Sequence, residues 1–364
     1  MNNEPLVSVL IPTYNRAEYL DDCLYSTLVQ DYKNCEVYIR DNDSSDNTKE
    51  IVEKYRPLFK DFTYYRYKRN DTNVGFRDNM IHGTKECRGK YSIILMDDDF
   101  LCSRTAVSSM VQALEATKKT SLTVSQSETY RQGEMDLSAK EIINHGKEIV
   151  SHSEFKTISG EYYFLNSWTV YGPICLSSVM FDTKKLLASP WEKWTHNSAI
   201  DVNLYHAISP GNNIAIIEDP LTYYRLHETQ DIHVFPVEDA MSSHSRIMLW
   251  YKYAKEKRVA SSTSLFIWRL KTVILKDSGP IRWLSNRKPP ILNKFISWLR
   301  GYNLLHYFVL RYLNPQMIKY DYAVAIKCPN LFIRIFKKTM LHLRRITSRL
   351  ILRIDRALHN PDEK

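Results

Sequence analysis

The chain has 364 residues, 44% of them hydrophobic and 25% charged, the proportions of an ordinary folded soluble protein with room for two domains. No stretch approaches the roughly 20 apolar residues that span a bilayer, and no internal repeat or low-complexity segment is present. The net charge of +9 points to an anionic partner: a nucleotide, a nucleic acid or a membrane surface.

The N-terminus, MNNEPLVSVLIPTYN, lacks a basic leader and its apolar run is short, so a signal peptide is not expected. Leu6 to Ile11 is a near-continuous apolar run stopped by Pro12, which predicts a buried strand. A polar loop, Thr13-Tyr14-Asn15-Arg16, follows. From Ala17 the positions Leu20, Cys23, Leu24 and Leu28 recur at helical spacing. Cys35 to Arg40 predicts a second strand, ending in a turn that carries Asp41 and Asp43. Ser45 or Asp46 is the expected N-cap of a helix over Lys49 to Tyr55. Phe62 to Tyr67 alternates as a third strand, and Asn73-Val74-Gly75 turns into a helix around Asp78 to Cys87.

Ser92 to Met96 then forms a fourth apolar run, and three carboxylates arrive together: Asp97, Asp98 and Asp99. Adjacent carboxylates repel one another and resist desolvation unless something cationic sits between them. Two readings stand: a solvated acidic turn capping a helix that starts near Thr105, or an oxygen site for a hard divalent ion. The order β-α-β-α-β-α-β argues a doubly wound, mostly parallel sheet. Parallel strands place the turns IPTYNR, RDNDSSD and MDDD on one sheet edge, the edge where α/β folds bind ligands. Three polar turns converging there suggest a nucleotide or phosphate site.

Ser121 to Val124 predicts another strand, residues 125–158 are polar and irregular, and Trp168 to Met180 is apolar and β-like. Trp191 and Trp194 lie in an aromatic loop that is either a packed cover on the core or a platform for a sugar face. Asp201 falls in the first turn of a helix over Ser198 to Ile208, where the helix dipole favours its ionised form. Ile214 to Glu218 predicts a strand, followed by LTYYRLH with Arg225 and His227. Beyond Val237 the chain reads as helical, at Ala240 to Lys255, Ser264 to Leu275 and a tail from Leu331 to Leu358. In that tail Arg334, Lys337, Lys338, Arg344, Arg345, Arg349, Arg353 and Arg356 interleave with apolar residues. Such a helix binds an anionic membrane surface or packs as a solvated face of its own domain. Nucleic acid is not expected, since no recognition module accompanies the charge. The six cysteines, Cys23, Cys35, Cys87, Cys102, Cys175 and Cys328, have no CxxC or metal spacing and read as reduced thiols in a cytosolic protein.

VSVLIPTYNRAEYLDDCLYSTLVQ, IRDNDSSDNT, NVGFRDN and YSIILMDDD, in this order over about residues 6 to 115, resemble the nucleotide-sugar half of family 2 glycosyltransferases. The resemblance resumes at SAIDVNLYHAI and PLTYYRLH. It implies a GT-A fold: an α/β, Rossmann-like domain over 1–235 (1–115 the nucleotide-sugar half, 116–235 the acceptor half) and a helical, basic C-terminal region over 236–364. Pro12, Thr13, Tyr14 and Arg16 would line the nucleotide pocket. Asp41 would accept from the base edge, and Asn73, Gly75 and Asn79 would close the pocket beside Arg77 and Asp78, whose order is swapped relative to many relatives. Asp97 and Asp98 would form the metal-and-ribose motif for Mn²⁺ or Mg²⁺. Asp98 would be the direct ligand, Asp99 its support or a further ligand, and His227 a metal or phosphate ligand, with Arg225 bracing the same region. Asp201 would be the general base, and Trp191 and Trp194 would meet the acceptor.

The activity so implied is metal-dependent, inverting transfer of one sugar from a nucleotide-diphosphate sugar to an acceptor hydroxyl. Processive relatives carry Gln-x-x-Arg-Trp; here Arg282-Trp283 stands without the Gln. A lipid-linked glycan precursor of a bacterial surface polysaccharide, O-antigen or capsule, is the expected acceptor. The expected place is cytoplasmic, peripheral on the inner face of the cytoplasmic membrane. The rivals are a nucleotidyltransferase and a non-catalytic nucleotide-sugar-binding or membrane scaffold protein. The first would carry a Gly-rich phosphate loop, and Pro12 to Arg16 has no Gly. The second would have lost Asp98, Asp201 or His227, all retained here.

Overall fold

The computed structural model describes residues 4–131, 138–145, 154–166, 175–194, 200–227, 249–262 and 265. The chain divides into two compact units, Met1–Phe235 and Pro236–Lys364. In the second, residues 249–256 are helical and Trp250 is buried. Arg282-Trp283, the basic tail expected from Leu331 to Leu358, and nearly all of the helix expected from Ser264 lie outside the described residues.

In the first unit β1 (Val7–Thr13), α1 (Ala17–Leu28), β2 (Cys35–Asp41), α2 (Thr48–Tyr55), β3 (Tyr64–Arg69), α3 (Phe76–Glu86) and β4 (Tyr91–Ile94) alternate as expected. β1 pairs in parallel with both β2 and β4, and β2 with β3. Every residue of β1, β2 and β4 is buried, the condition of a parallel strand covered on both faces and the reason these segments read as continuous apolar runs. β3 lies at the sheet's edge and is half-exposed; its Arg66, Lys68 and Arg69 discourage pairing with another chain. α1 buries Ala17, Leu20, Cys23, Leu24 and Thr27 against this sheet.

The remainder comprises β5 (Phe100–Leu101), α4 (Ala106–Glu115), β6 (Thr120–Arg131), α5 (Ala139–His145), β7 (Phe155–Ser159), α6 (Gly160–Asn166), a 3-10 turn at Leu176–Ser178, β8 (Val179–Asp182), α7 (Thr183–Ala188), α8 (Trp191–Trp194), α9 (Ile200–Ile208) and β9 (Asn213–Leu226). Among the described residues the strands form one nine-stranded sheet in the order β3-β2-β1-β4-β8-β6-β9-β5, with β7 also on β9. β8 runs antiparallel to β4 and β6, and β5 and β7 run antiparallel to β9. The doubly wound α/β architecture is therefore parallel through β4 and mixed beyond it. No helix among the described residues is long and apolar enough to cross a membrane.

Four local expectations change. The strand expected at Ser121 to Val124 continues to Arg131, so part of the segment expected to be irregular is β6, α5 and β7. The strand expected to stop at Glu218 runs on through Pro220 to Leu226; Pro220 sits where the register with β6 slips at Gln126, a place where a missing N–H costs no ladder bond. Of the β-like stretch from Trp168, the described part is the 3-10 turn followed by β8. Asn47, not Ser45 or Asp46, is the N-cap of α2. Asp46 instead accepts from the N–H and hydroxyl of Thr48 and from the N–H of Ala17, serving two helix starts at once.

Candidate functional site

The backbone ladder carries the C-terminal ends of four strands, β1 to β4, to one edge. The Leu95 N–H donates to the Leu10 carbonyl (2.9 Å), Asn42 to Thr13 (2.9 Å) and Asn70 to Asp41 (2.8 Å). The Asp97–Asp99 loop between β4 and β5 thus opens beside the ends of β1 and β2.

Its three carboxylates have three different environments. Asp98 Oδ2 lies 3.3 Å from Arg16 Nη1 and 3.0 Å from His227 Nε2, and Arg16 Nη1 is 2.9 Å from that same ring nitrogen. The ring nitrogen accepts from the guanidinium in the tautomer protonated on Nδ1 and donates to the carboxylate in the tautomer protonated on Nε2; in both, Arg16 is the cation that faces the pair. Asp99 is 1% exposed, and its oxygens take the Ser177 hydroxyl (2.6 Å), the Cys175 thiol (3.2 Å) and the Arg225 N–H (3.1 Å). Protein donors on β9 and the 3-10 turn bond both oxygens, and the residue fixes the loop. Burial, and then the charge of Asp98, push Asp97 up to about 8 and Asp99 to about 7. The Thr13 hydroxyl and Tyr14 N–H pull Asp97 back down, although the hydroxyl closes no well-aligned bond. A carboxylate cluster of this kind favours an added cation.

α1 and the end of β9 bracket the loop. Arg225 Nη2 donates to Asp22 Oδ2 (2.7 Å) and Nε to the Asp98 carbonyl (3.0 Å), while its guanidinium lies 5.1 Å from the Tyr19 ring centre and 5.5 Å from that of Phe100. Asp22 Oδ1 also takes the Ala139 N–H at 2.9 Å. The ring of His227 packs on Tyr19, centroids 4.6 Å apart. Tyr19 and Asp22, one turn apart on α1, therefore hold Arg225 and His227 over Asp98.

On the other side of the β1 loop, Asp41 is 1% exposed and accepts from the Ser44 N–H (2.8 Å) and the Tyr67 hydroxyl (2.7 Å). Beside it runs an asparagine ladder. Asn42 donates to Asn73 (2.8 Å), and Asn70 to Asn42 (2.9 Å) and Asn79 (3.0 Å). Asn79 in turn donates to the Arg40 carbonyl at 2.9 Å. Asn73 also accepts from the Gly75 N–H (2.8 Å), and Gly75, at φ +84°, makes the left-handed turn that opens α3. Pro12 and Thr13 are buried, and Tyr14 stands 44% exposed at the rim. Asn79 is 2% exposed and bonded at both ends of its amide.

Arg77 pairs with Asp78 and donates to the Glu192 carbonyl (3.0 Å), so it braces α3 against α8. Trp191 is 1% exposed; it offers no open face to a sugar and is core, which corrects the platform reading. The Trp194 side chain lies outside the described residues. Asp201, in the first turn of α9, is half-buried and accepts from the Val202 N–H at 2.8 Å. Burial, and next the charge of Asp201, raise the Tyr205 hydroxyl. Asn42, Asn70, Tyr67, Tyr19 and Asp22 had not been singled out from the sequence. Asn42 and Asn70 had a signal, each being the first polar residue after its strand; Asp22 resembled any acid on a helix surface.

Among the described residues no three His, Cys, Asp or Glu side chains are grouped to hold a metal ion. Asp98 and His227 converge. A carboxylate and an imidazole are a donor set that Mn²⁺ or Mg²⁺ accepts.

The family model described as Glycosyl transferase family 2 matches residues 8–162. The chain is 35% identical over 109 residues to the GalNAc(5)-diNAcBac-PP-undecaprenol beta-1,3-glucosyltransferase of Campylobacter jejuni, covering 30% of this chain and 34% of that protein. It is 38% identical over 98 residues to the abequosyltransferase RfbV of Salmonella typhimurium, covering 26% and 29%. These matches span about a third of the relatives' length. Among solved structures, Staphylococcus aureus TarS 1-349 in complex with UDP superposes with a TM-score of 0.51 at 16% identity, over 94% of this chain and 87% of that one, a likeness of fold.

Proposed function

We propose, from the match of residues 8–162 to the Glycosyl transferase family 2 model, that this chain is a family 2 glycosyltransferase that moves one sugar from a nucleotide-diphosphate sugar to an acceptor hydroxyl, inverting the anomeric centre and using a divalent metal. The observation that carries this reading is the convergence of Arg16, Asp98 and His227 on one point, beside a pocket floored by Asp41, on the ligand-binding edge of the sheet.

In this reading Asp41 accepts an N–H from the base, and the asparagine ladder sets the width of the base pocket. Asp97 takes a ribose hydroxyl. Arg16 grips the diphosphate, which a guanidinium fork matches in geometry. A divalent ion held by Asp98 and His227 would supply charge neutralisation at the departing diphosphate. Asp201 takes the proton of the acceptor hydroxyl as its oxygen bonds to the anomeric carbon, and the electrons of the broken glycosyl–phosphate bond leave with the nucleotide. General-base help of this kind contributes about 10² to 10⁴ in rate. The N-terminal half (1–115) serves the donor, residues 116–235 serve the acceptor, and the basic C-terminal region holds the enzyme on the inner face of the cytoplasmic membrane. A lipid-linked glycan acceptor, from O-antigen or capsule assembly, is supported by the undecaprenol in the name of the Campylobacter relative.

A thermal-shift panel tests the reading. UDP-, dTDP-, GDP- and CDP-linked sugars are compared with and without Mn²⁺, on the native chain and on Asp98→Ala. A ligand at a hundredfold its Kd stabilises the native state by about 2.7 kcal/mol. A shift with one nucleotide class that needs Mn²⁺ and disappears in Asp98→Ala is expected; no shift with any nucleotide at millimolar concentration would refute it.

A further inference from the structure

We infer that Arg16 is the resident cation of the donor site: its guanidinium occupies the place between Asp98 and His227 while no diphosphate is bound, and yields it to the divalent ion when diphosphate arrives. This rests on the donor-site reading above and adds an order to it, with metal affinity conditional on the nucleotide.

Three observations combine. The first is the geometry: one nitrogen of Arg16 lies 3.3 Å from Asp98 Oδ2 and 2.9 Å from His227 Nε2, which are themselves 3.0 Å apart. These are the two groups offered to a metal, and a guanidinium and a divalent ion cannot share them, because like charges at that range repel. The second is the need for a counter-charge: Asp97 and Asp99 are buried beside Asp98, and Arg16 is a close cation on the Asp98 carboxylate. The third is a fixed backbone beneath a partly exposed side chain. The Arg16 carbonyl accepts the Tyr19 and Leu20 N–H groups at the start of α1. The preceding Asn15 is pinned by Ser44 and Ser45, bonds of 2.9 and 2.7 Å. The backbone is thus held, while the side chain is 18% exposed and long enough to exchange one anion for another. Diphosphate offers the guanidinium an alternative, bidentate partner. Moving there frees Asp98 and His227, so nucleotide and metal assist each other's binding.

Mn²⁺ binding to the full chain, read from the EPR signal of free Mn²⁺ with and without UDP and GDP, tests this on native protein, Arg16→Gln and Arg16→Lys. Nucleotide affinity is measured alongside by calorimetry, and thermal unfolding confirms that each variant folds. The expected result has opposite signs. Arg16→Gln binds Mn²⁺ without nucleotide about tenfold more tightly than the native chain and binds nucleotide diphosphate about tenfold more weakly. Arg16→Lys keeps the charge and stays near native for Mn²⁺. Native protein that binds Mn²⁺ with nucleotide, together with Arg16→Gln whose Mn²⁺ affinity alone is unchanged or lower, overturns the inference and leaves the donor site standing. No Mn²⁺ binding by any of the three, even with nucleotide, overturns both.

Discussion

Replacing Arg225 with Met keeps the apolar stem and removes the guanidinium that ties β9 to α1 and to the acidic loop. The side chain is 7% exposed and donates to Asp22 at 2.7 Å and to the Asp98 carbonyl at 3.0 Å. Hydrogen bonds of a charged group contribute about 1.5–3 kcal/mol each, and each ring contact, with Tyr19 and Phe100, about 0.5–1 kcal/mol. The loss is smaller than that total because Asp22, 18% exposed, keeps the Ala139 N–H and regains water. We therefore expect about 3 kcal/mol, within the cost of breaking a partly buried ion pair. For a unit of this size that lowers Tm by about 6–12 °C. Asp22→Asn provides the second corner of a double-mutant cycle, read by urea unfolding followed by circular dichroism. Removing both partners should cost less than the two single changes together, by about 1.5 kcal/mol or more. Because Arg225 also fixes the Asp98 carbonyl, Arg225→Met should weaken Mn²⁺-dependent nucleotide binding about tenfold. A Tm drop under about 2 °C, or strict additivity with Asp22→Asn, would refute the bracket.

Gly160→Ala would place a Cβ 1.8 Å from the Ser209 carbonyl oxygen and 2.7 Å from that of Asn212. Both are backbone atoms with no rotamer to move, so we expect a loss of about 2–3 kcal/mol or more; soluble yield and Tm check it, and a native Tm would count against the packing described. Tyr67→Phe deletes the 2.7 Å bond to Asp41, which should cost about 1–2 kcal/mol in stability and raise the nucleotide Kd several-fold without changing the rate of the transfer step, measured by calorimetry and steady-state kinetics. Burial pushes the thiols of Cys35 and Cys102 up to about 12, leaving on the order of one in ten thousand as thiolate at pH 8. Iodoacetamide should spare both in the native protein and label both in urea; rapid native labelling by peptide mapping would contradict their burial.

How much of this was legible beforehand divides by interaction range. The alternation through β4 was readable because strands covered on both faces are mostly apolar, as in Val7–Thr13 and Tyr91–Ile94; Cys35–Asp41 buries Glu36 as well, paired with Ser8 and Arg66. The second half was harder. Nothing local marks β6 as running to Arg131, since its partner is β9, about 90 residues downstream in register, and the crossing of Pro220 is tolerated only because of where that register slips.

The sequence by itself determined that three parallel strands end in polar turns on one edge, because strand direction and turn composition are set over a few residues; the tie between the carboxylate cluster and the downstream Arg-Leu-His was what the family resemblance implied. Only the tertiary structure divided the labour among three adjacent aspartates, turning Asp98 to Arg16 and His227, Asp99 to Ser177, Cys175 and Arg225, and Asp97 toward β1. It also buried Trp191 and recruited Asp22 and Tyr19 from an ordinary-looking helix. Neighbours in sequence share a composition but point in different directions, and a carboxylate's role is decided by the donors that packing brings to it from α1, β9 and the 3-10 turn.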